Sequence, residues 1–542
     1  MRSSSQRKKT IACVGAGYVI HMLTMVAAQG GPSSAILAFQ VPEIDVHVLD
    51  KSDSRVAAWN SDRPPISEPG LHDVVRATRE RARPNLFFST DMDGLIPKAD
   101  IIFIAVQTPP TPEDDRSGCD GVAPDLRSFN AAVQQIGSLL TKDAILVNKS
   151  TVPCGAAEET ARLLQSRLRP GIKCEVLSNP EFLAEGTAVE DLLNPDRVLI
   201  GCSSSHAGRA AAAVLGDLYA RWVPRERIVT MGTRSCELSK LAANMLLSQR
   251  ISSINALSAI CDKLDADVTD VSRACGMDRR IGPHMLRASI GFGGSCFRKD
   301  VLHLAHTARS LALDEVAGYF GSIATLNKHQ TERYARRLLQ HNVQGARLQI
   351  VAVLGFAFKP NTGDTRDSPA ISFIRCLVLD GVFVKVFDPI VPKSRILDDV
   401  KASLQGLAFI AESRLAVSED PYEACDGANA VAILNPWDAL QFETTQSDSG
   451  RLHRKTLFPR FLLPGLGLDN IQADEEPSRR VQWEMIARSM KHPKLLFDGH
   501  NFLNRNITSL GFDLQGIGRL SPPRTTRGRG GSSTTFTPRS SL

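Results

Sequence analysis

The ten residues Gly291-Phe292-Gly293-Gly294-Ser295-Cys296-Phe297-Arg298-Lys299-Asp300 hold the most reactive combination in this chain. Three glycines let backbone pass close to a ligand, because no Cβ holds it away. A thiol follows, then a lysine and an acid. Positive charge beside a cysteine favours the thiolate, which is the nucleophilic form. The chemistry on offer is attack on an electrophilic carbon. A free cysteine is by default a buried packing residue; the glycines and the charged followers turn the reading toward catalysis.

A second set of residues is suited to a dinucleotide. The apolar run Ile11–Val14 leads into Gly15-Ala16-Gly17. A strand feeding such a turn begins a βαβ unit in which pyrophosphate approaches the glycines and the next helix N-terminus favours its charge. The third glycine of the usual pattern is missing, since position 20 is isoleucine. Val46–Leu49 ends in Asp50, an acid placed to bind ribose hydroxyls and to disfavour a 2′-phosphate, so NAD is expected over NADP. Gly15 and Asp50 are 35 positions apart, where about 20 is usual. Ala99–Val106 reads as a strand buried on both faces, with Thr108 just beyond it, and Ala144–Asn148 as another, followed by Lys149-Ser150-Thr151-Val152-Pro153. Ligands bind at such carboxyl ends.

The elements around these residues need room. The 542 residues allow two to four domains, and 43 % hydrophobic content supplies their cores. The net charge of +6 sits at the ends: Arg2, Arg7, Lys8 and Lys9 at one, Arg524, Arg527, Arg529 and Arg539 at the other, with no acid nearby. The body between them is slightly acidic, which argues against a nucleic-acid surface. Eleven cysteines lie scattered without CxxC pairs or histidine clusters, so neither a disulfide framework nor a metal site is expected. No apolar stretch is long enough to span a bilayer. A soluble cytoplasmic protein is the expectation.

Several blocks then converge. They are Gly15-Ala16-Gly17-Tyr18-Val19, Lys149–Pro153, Ser178-Asn179-Pro180-Glu181-Phe182-Leu183-Ala184-Glu185-Gly186, Glu237–Asn244, the Cys296 run, Gly355-Phe356-Ala357-Phe358-Lys359, Thr362–Arg366 and Asp420–Asp426. In this order the chain resembles the UDP-glucose/GDP-mannose dehydrogenase family, over roughly residues 10–440 and 482–518. Arg250–Asn255 resembles its eukaryotic-type UDP-glucose 6-dehydrogenases. The resemblance implies NAD-dependent four-electron oxidation of UDP-glucose to UDP-glucuronate through a cysteine thiohemiacetal and thioester. It implies catalytic roles for Cys296, Lys240, Asp300, Glu181, Thr151 and Asn244. Cofactor contacts fall to Gly15, Gly17, Tyr18, Val19, Asp50, Arg55, Thr108, Thr151, Glu185, Lys299 and Arg366. Substrate contacts fall to Glu181, Phe182, Leu183, Glu185, Lys240 and Asn244. They continue with Arg280, Arg287, Phe292, Gly293, Cys296, Phe297, Phe358, Lys359 and Asn501. No metal is implied, and the partner is a second copy of the chain, as a dimer or an assembly of dimers.

The implied fold is α/β, with two Rossmann-like doubly wound domains joined by a central helical domain containing a long helix. The basic tail covers 1–10, the NAD domain 11–225, the helical dimerisation domain 226–335, the UDP domain 346–518 and a disordered tail 519–542. Ser239–Leu264 has helical apolar spacing without Gly or Pro. Strands are expected at Leu348–Leu354, Val382–Phe387 and Ala430–Leu434. Three departures stand out. Ile20–Gln29 interrupts the phosphate turn and should displace the pyrophosphate or unravel the first helical turn; a retained intron would produce such an insert. Residues 441–480 form an extra loop, expected to be mobile, with an apolar patch at Leu457–Leu468. His500 replaces a family arginine, which should weaken or alter sugar binding. Two rival readings are a dehydrogenase for another nucleotide sugar and a UDP-sugar-binding protein with impaired NAD binding and little turnover.

Overall fold

The computed structural model describes residues 9–16, 30–62, 64–66, 68–109, 111, 123–341, 348–442 and 480–519. Gly17, Tyr18, Val19, Ile20–Gln29, most of the 441–480 loop and most of both tails lie outside the described residues. Short runs of Val, Ile, Leu and Phe build two sheets. The first contains β1 (Thr10–Val14), β2 (Asp45–Leu49), β3 (Leu86–Ser89), β4 (Ile101–Ile104), β5 (Ala144–Asn148), β6 (Cys174–Ser178), β7 (Val198–Cys202) and β8 (Ile228–Gly232). Its order is β3-β2-β1-β4-β5-β6-β7-β8. All pairings are parallel except a single antiparallel bridge, Ser178 to Gly201. Every residue of β4 is buried, as a strand covered by helices on both faces requires.

The second sheet contains β9 (Ile350–Leu354), β10 (Phe383–Phe387), β11 (Leu415–Val417), β12 (Ala430–Ile433), β13 (Leu495–Asp498) and β14 (Asp513–Gly516). It runs β11-β10-β9-β12-β13-β14, parallel throughout. In both sheets the strand order reverses beside the first strand, which opens a crevice at the carboxyl ends.

The helical region joins the sheets. Its long helix runs from Thr233 to Leu264, starting earlier than the apolar spacing indicates because it follows directly from β8. That strand pairs with β7, so the first sheet continues past the expected boundary at 225. Cys236, Glu237, Lys240, Leu241, Asn244, Met245 and Ser248 are buried on one face, the three-and-four spacing of a helix packed on one side. Helices Phe297–Ser310 and Asp314–Leu339 pack against it, the latter running past residue 335.

One expectation is corrected. The helix Gly30–Gln40 begins intact, with Gly30 and Gly31 buried. A Cβ on Gly30 would lie 1.9 Å from the Gly15 carbonyl oxygen. The glycine that the turn needs for close packing is therefore supplied by Gly30, and the first helical turn does not unravel.

Candidate active site

At the end of β1, Gly15 takes a φ of +107°, and a Cβ there would lie 2.5 Å from the Ala105 carbonyl oxygen. Gly15 and Gly30 thus leave a cradle without side chains at the mouth of the sheet. Asp50 closes its other edge. It accepts the Ala16 N–H at 3.0 Å and the Ser52 N–H at 3.0 Å, and Arg55 Nη1 reaches its two oxygens at 2.7 and 2.6 Å. Thr108 Oγ1 donates to the Thr151 carbonyl at 2.6 Å, tying the ends of β4 and β5 together. This cradle, with an acid at the ribose position, fits NAD.

The candidate nucleophile lies in the helical region. Cys296 is the N-cap residue of helix Phe297–Ser310 and is partly exposed, with Ser295 Oγ 3.6 Å from its sulfur. A helix N-terminus favours negative charge. One turn on, Asp300 is 1 % exposed. Asn244 Nδ2 donates to its Oδ2 at 2.6 Å. Its Oδ1 lies 3.4 Å from Lys299 Nζ and has no hydrogen-bond partner among the described residues. Lys240 lies one turn before Asn244, and its ammonium stands 5.0 Å from the centre of the Phe182 ring. It is buried and makes no hydrogen bond or ion pair among the described residues. A buried cation, a carboxylate oxygen without a hydrogen-bond partner and an amide therefore stand on the packed helices Thr233–Leu264 and Phe297–Ser310, the second capped by Cys296. Buried polar groups are seldom left unpaired without a ligand or water to meet them.

The loop after β6 completes the floor. Glu181 Oε2 receives Lys149 Nζ at 2.6 Å and Ser33 Oγ at 3.3 Å, while Oε1 accepts the Phe182 N–H at 3.1 Å. Burial alone works against the Lys149 ammonium; Glu181 and Tyr219 outweigh it and hold its pKa above the ordinary lysine value. Leu183 packs against the core of the first sheet. Glu185 reaches into the third domain, receiving Arg366 Nη2 at 2.9 Å and Thr362 Oγ1 at 3.4 Å. Burial, and then Asp364, push its carboxyl up to about 8.

The third domain supplies the roof. Gly294 takes a φ of +86°, donates to the Arg366 carbonyl at 2.8 Å, and would bring a Cβ within 2.8 Å of the Phe358 ring. A Cβ on Gly293 would lie 2.6 Å from the Asp367 carbonyl oxygen. The glycines before Cys296 are thus needed for contact with loop 356–368. Phe292 stacks edge-on against Phe297 at 5.6 Å. Lys359 lies over Phe358, its pKa lowered by burial against the pull of Glu185, Glu68, Asp191 and Cys296.

Other expected residues lie at the margin. Arg287 donates to the His500 carbonyl at 3.0 Å. Asn501 uses its amide on Ile517, donating at 2.7 Å and accepting at 2.8 Å, which closes the end of β14. Arg280 is exposed, paired with Asp278 at 2.7 Å, and is not brought to the cluster within one chain. His500 Nε2 lies 3.0 Å from the Leu434 carbonyl; burial lowers its pKa to about 4, so it is neutral.

Sequence reasoning missed the supports. Glu237 accepts the Gly155 and Ala157 N–H groups at 2.7 and 2.9 Å and Ser178 Oγ at 2.9 Å, fixing the loop that carries Thr151. Glu68 accepts the Gly186 N–H at 2.9 Å. Asn327 clamps Phe292 by both N–H and carbonyl at 2.8 Å. Lys149 had a visible signal: a lysine directly after Ala144–Asn148, a strand apolar but for its last residue. Among the described residues, no group of three or more His, Cys, Asp or Glu could hold a metal ion, and no helix is long and apolar enough to cross a membrane.

Three family models match in order: the NAD binding domain of the UDP-glucose/GDP-mannose dehydrogenase family at residues 9–223, its central domain at 234–329 and its UDP binding domain at 352–459. UDP-glucose 6-dehydrogenase of Gallus gallus is 45 % identical over 491 residues, 90 % of this chain and 95 % of that protein. UDP-glucose 6-dehydrogenase 1 of Oryza sativa subsp. japonica is 44 % identical over 519 residues, 94 % and 97 % of the two chains. The solved structure of a UDP-glucose dehydrogenase from the archaeon Pyrobaculum islandicum superposes with a TM-score of 0.70 at 28 % identity, covering 96 % of this chain and 100 % of that one.

Proposed function

This chain belongs to the UDP-glucose/GDP-mannose dehydrogenase family, and from that premise we propose that it oxidises UDP-glucose twice at C6, giving UDP-glucuronate, with Cys296 as the covalent catalyst. NAD, when bound, supplies the hydride acceptor for each oxidation. The observation that carries the reading is the juxtaposition at the end of helix Phe297–Ser310: Cys296, one turn from Asp300, with Asn244 bonded to that acid at 2.6 Å and the unpaired Lys240 one turn away.

In the first oxidation Lys240 and Asn244 hold the C6 oxygen, and a water on Asp300 Oδ1 takes its proton as hydride leaves carbon. The aldehyde cannot give a second hydride until its carbon is tetrahedral. The Cys296 thiolate adds to it, forming a C–S bond, and the oxygen takes a proton. Hydride and that proton then leave, and a thioester remains. Water attacks the thioester carbon: a C–O bond forms, the C–S bond breaks, and its electron pair returns to sulfur. Glu181, with Thr151 beside it, orients that water and accepts its proton. Covalent capture keeps a reactive aldehyde from escaping.

Phe182, Leu183, Glu185, Phe292, Gly293, Phe297, Phe358, Lys359, Arg287 and Asn501 enclose the nucleotide sugar. The first turn, with Gly15, Gly17, Tyr18, Val19, Asp50, Arg55 and Thr108, takes NAD, and Lys299, Glu185 and Arg366 flank it. The enzyme works in the cytoplasm as a homo-oligomer. Exposed Leu246, Leu257 and Ile260 on the long helix support such packing, and Arg280, exposed and outside the cluster, is assigned to a neighbouring copy. The test is NADH yield per sugar. Wild type should give two NADH per UDP-glucose. Cys296→Ala should lose this turnover by about three orders of magnitude or more; full four-electron turnover in that variant would refute the reading.

A further inference from the structure

Resting on the covalent reading above, we infer that Lys149 is the positioning residue of thioester hydrolysis, acting through Glu181. Lys149 follows β5, and its side chain is buried under the loop that carries Glu181. Its ammonium is spent on one carboxylate oxygen: Nζ lies 2.6 Å from Glu181 Oε2. The same ammonium donates to Asn179 Oδ1 at 3.3 Å and to Tyr219 OH at 3.4 Å. Tyr219 OH in turn donates to Asn179 Oδ1 at 2.6 Å, and Asn179 Nδ2 to the Leu199 carbonyl at 2.8 Å. The lysine is therefore fixed by Asn179, held to β7, and by Tyr219, the last residue of helix His206–Tyr219.

The consequence for Glu181 is geometric. Oε2 already holds Lys149 and Ser33. Oε1 accepts one backbone N–H and keeps a second lone pair. Two carboxylate oxygens thus divide the labour, one tethered and one available to a water. Ser33 lies in the first turns of the helix that starts at Gly30, so the tether also reaches the element behind the nucleotide cradle. Hydrolysis needs this order: as the water forms its C–O bond and sulfur leaves with the C–S pair, the departing proton must meet a carboxylate that is ionised and aimed. Without Lys149, Glu181 loses its counter-charge and has only Ser33 and one backbone N–H to hold its rotamer. The two hydride transfers do not use Glu181 and should survive.

The experiment separates these steps. In Lys149→Met, hydrolysis should slow about a hundredfold. A burst of two NADH per site should precede slow turnover, and acid-quenched enzyme should carry a sugar thioester on Cys296 by intact mass. Lys149→Arg should recover most of the rate, which a volume effect alone would not give. Because Lys149→Met leaves a buried carboxylate without its partner, Lys149→Met/Glu181→Gln removes both charges and guards against a folding defect. In the Glu181→Gln background the lysine change should add no further loss, since coupled residues are not additive. Wild-type hydrolysis in Lys149→Met, or losses that multiply in the double variant, would overturn the inference. Quenched wild-type and Glu181→Gln enzymes that both lack any adduct would instead bring down the covalent reading, and this one with it.

Discussion

At the ends of β1 and β9 the chain makes the same turn. Gly15 has a φ of +107° and Gly355 of +102°. Gly15 N–H donates to the Leu49 carbonyl at 2.8 Å, and Gly355 N–H to the Phe387 carbonyl at 2.9 Å. An aspartate follows the second strand of each sheet, Asp50 in one and Asp388 in the other. What those acids hold is different. Asp388 Oδ2 accepts the Phe356 and Ala357 N–H groups at 2.7 and 3.0 Å, and its Oδ1 accepts those of Ile390 and Val391 at 2.9 and 3.0 Å. Four backbone donors leave it no capacity for a ligand. Asp50 accepts two backbone donors, and its remaining sites face Arg55, a side chain that can swing away. One turn is built to exchange a partner, the other to freeze a loop. That frozen loop, 356–368, then packs on the glycines before Cys296.

The comparison breaks most sharply at its glycines. In Gly15→Ala a Cβ meets the Ala105 carbonyl oxygen at 2.5 Å; in Gly355→Ala it meets Asn435 Cβ at 2.4 Å. Positive φ adds strain of about 1–3 kcal/mol in either case. Gly15→Ala should weaken NAD roughly ten- to a hundredfold and leave UDP binding intact. Gly355→Ala should do the reverse, because it displaces the roof. Titration calorimetry with NAD and with UDP separately reads both. Equal loss of both ligands in either variant would show that the two turns are not independent.

The aspartates give a smaller effect and a finer distinction. Asp50→Asn removes the charge proposed to hold the ribose, and charge-assisted contacts are worth about 1.5–3 kcal/mol, so KM for NAD should rise by tenfold or more. Asp388→Asn should leave that KM alone and cost about 2 kcal/mol of stability, because buried N–H groups lose an anionic acceptor. Steady-state kinetics and urea unfolding distinguish the two. An NAD defect in Asp388→Asn would erase the proposed division.

How far this was readable in the sequence follows from the same residues. The strand Ile11–Val14, the turn at Gly15 and the acid at Asp50 are adjacent in pattern, and each appears in the fold where the residues place it. The long helix was legible because Lys240 and Asn244 sit in an uninterrupted helical period. Its start at Thr233 was not, because Thr233, Arg234 and Ser235 add no buried apolar residue to the helical period. The wiring of the site was hidden for a different reason. Ser33 with Glu181, Glu68 with Gly186 and Arg366 with Glu185 each join residues more than a hundred positions apart. Short-range pattern carries no trace of such pairs. The role of Gly30 was hidden too, since the residues before it separate it from the turn it completes.

The latch between the two turns is the subtlest test. Arg366 is shared by Asp364, which it meets through Nε at 2.8 and 2.9 Å and also through Nη2, and by Glu185 at 2.9 Å. One guanidinium cannot fully neutralise two buried carboxylates. Asp364 takes the closer geometry, so Glu185 holds a proton, its carboxyl pushed up to about 8 by burial first and by Asp364 second. The folded chain therefore keeps a proton that the unfolded chain releases near the ordinary glutamate range. Its contribution to stability is complete at about pH 4 and is lost as pH rises through about 8. Glu185→Gln carries the neutral form at every pH. Its melting temperature should fall less between about pH 5 and pH 8.5 than that of wild type, with Glu68 and Asp191 titrating alike in both. Parallel curves would place the proton elsewhere and leave the two domains joined by a plain ion pair, with no pH-sensitive seam beside the frozen turn and the glycines it packs on.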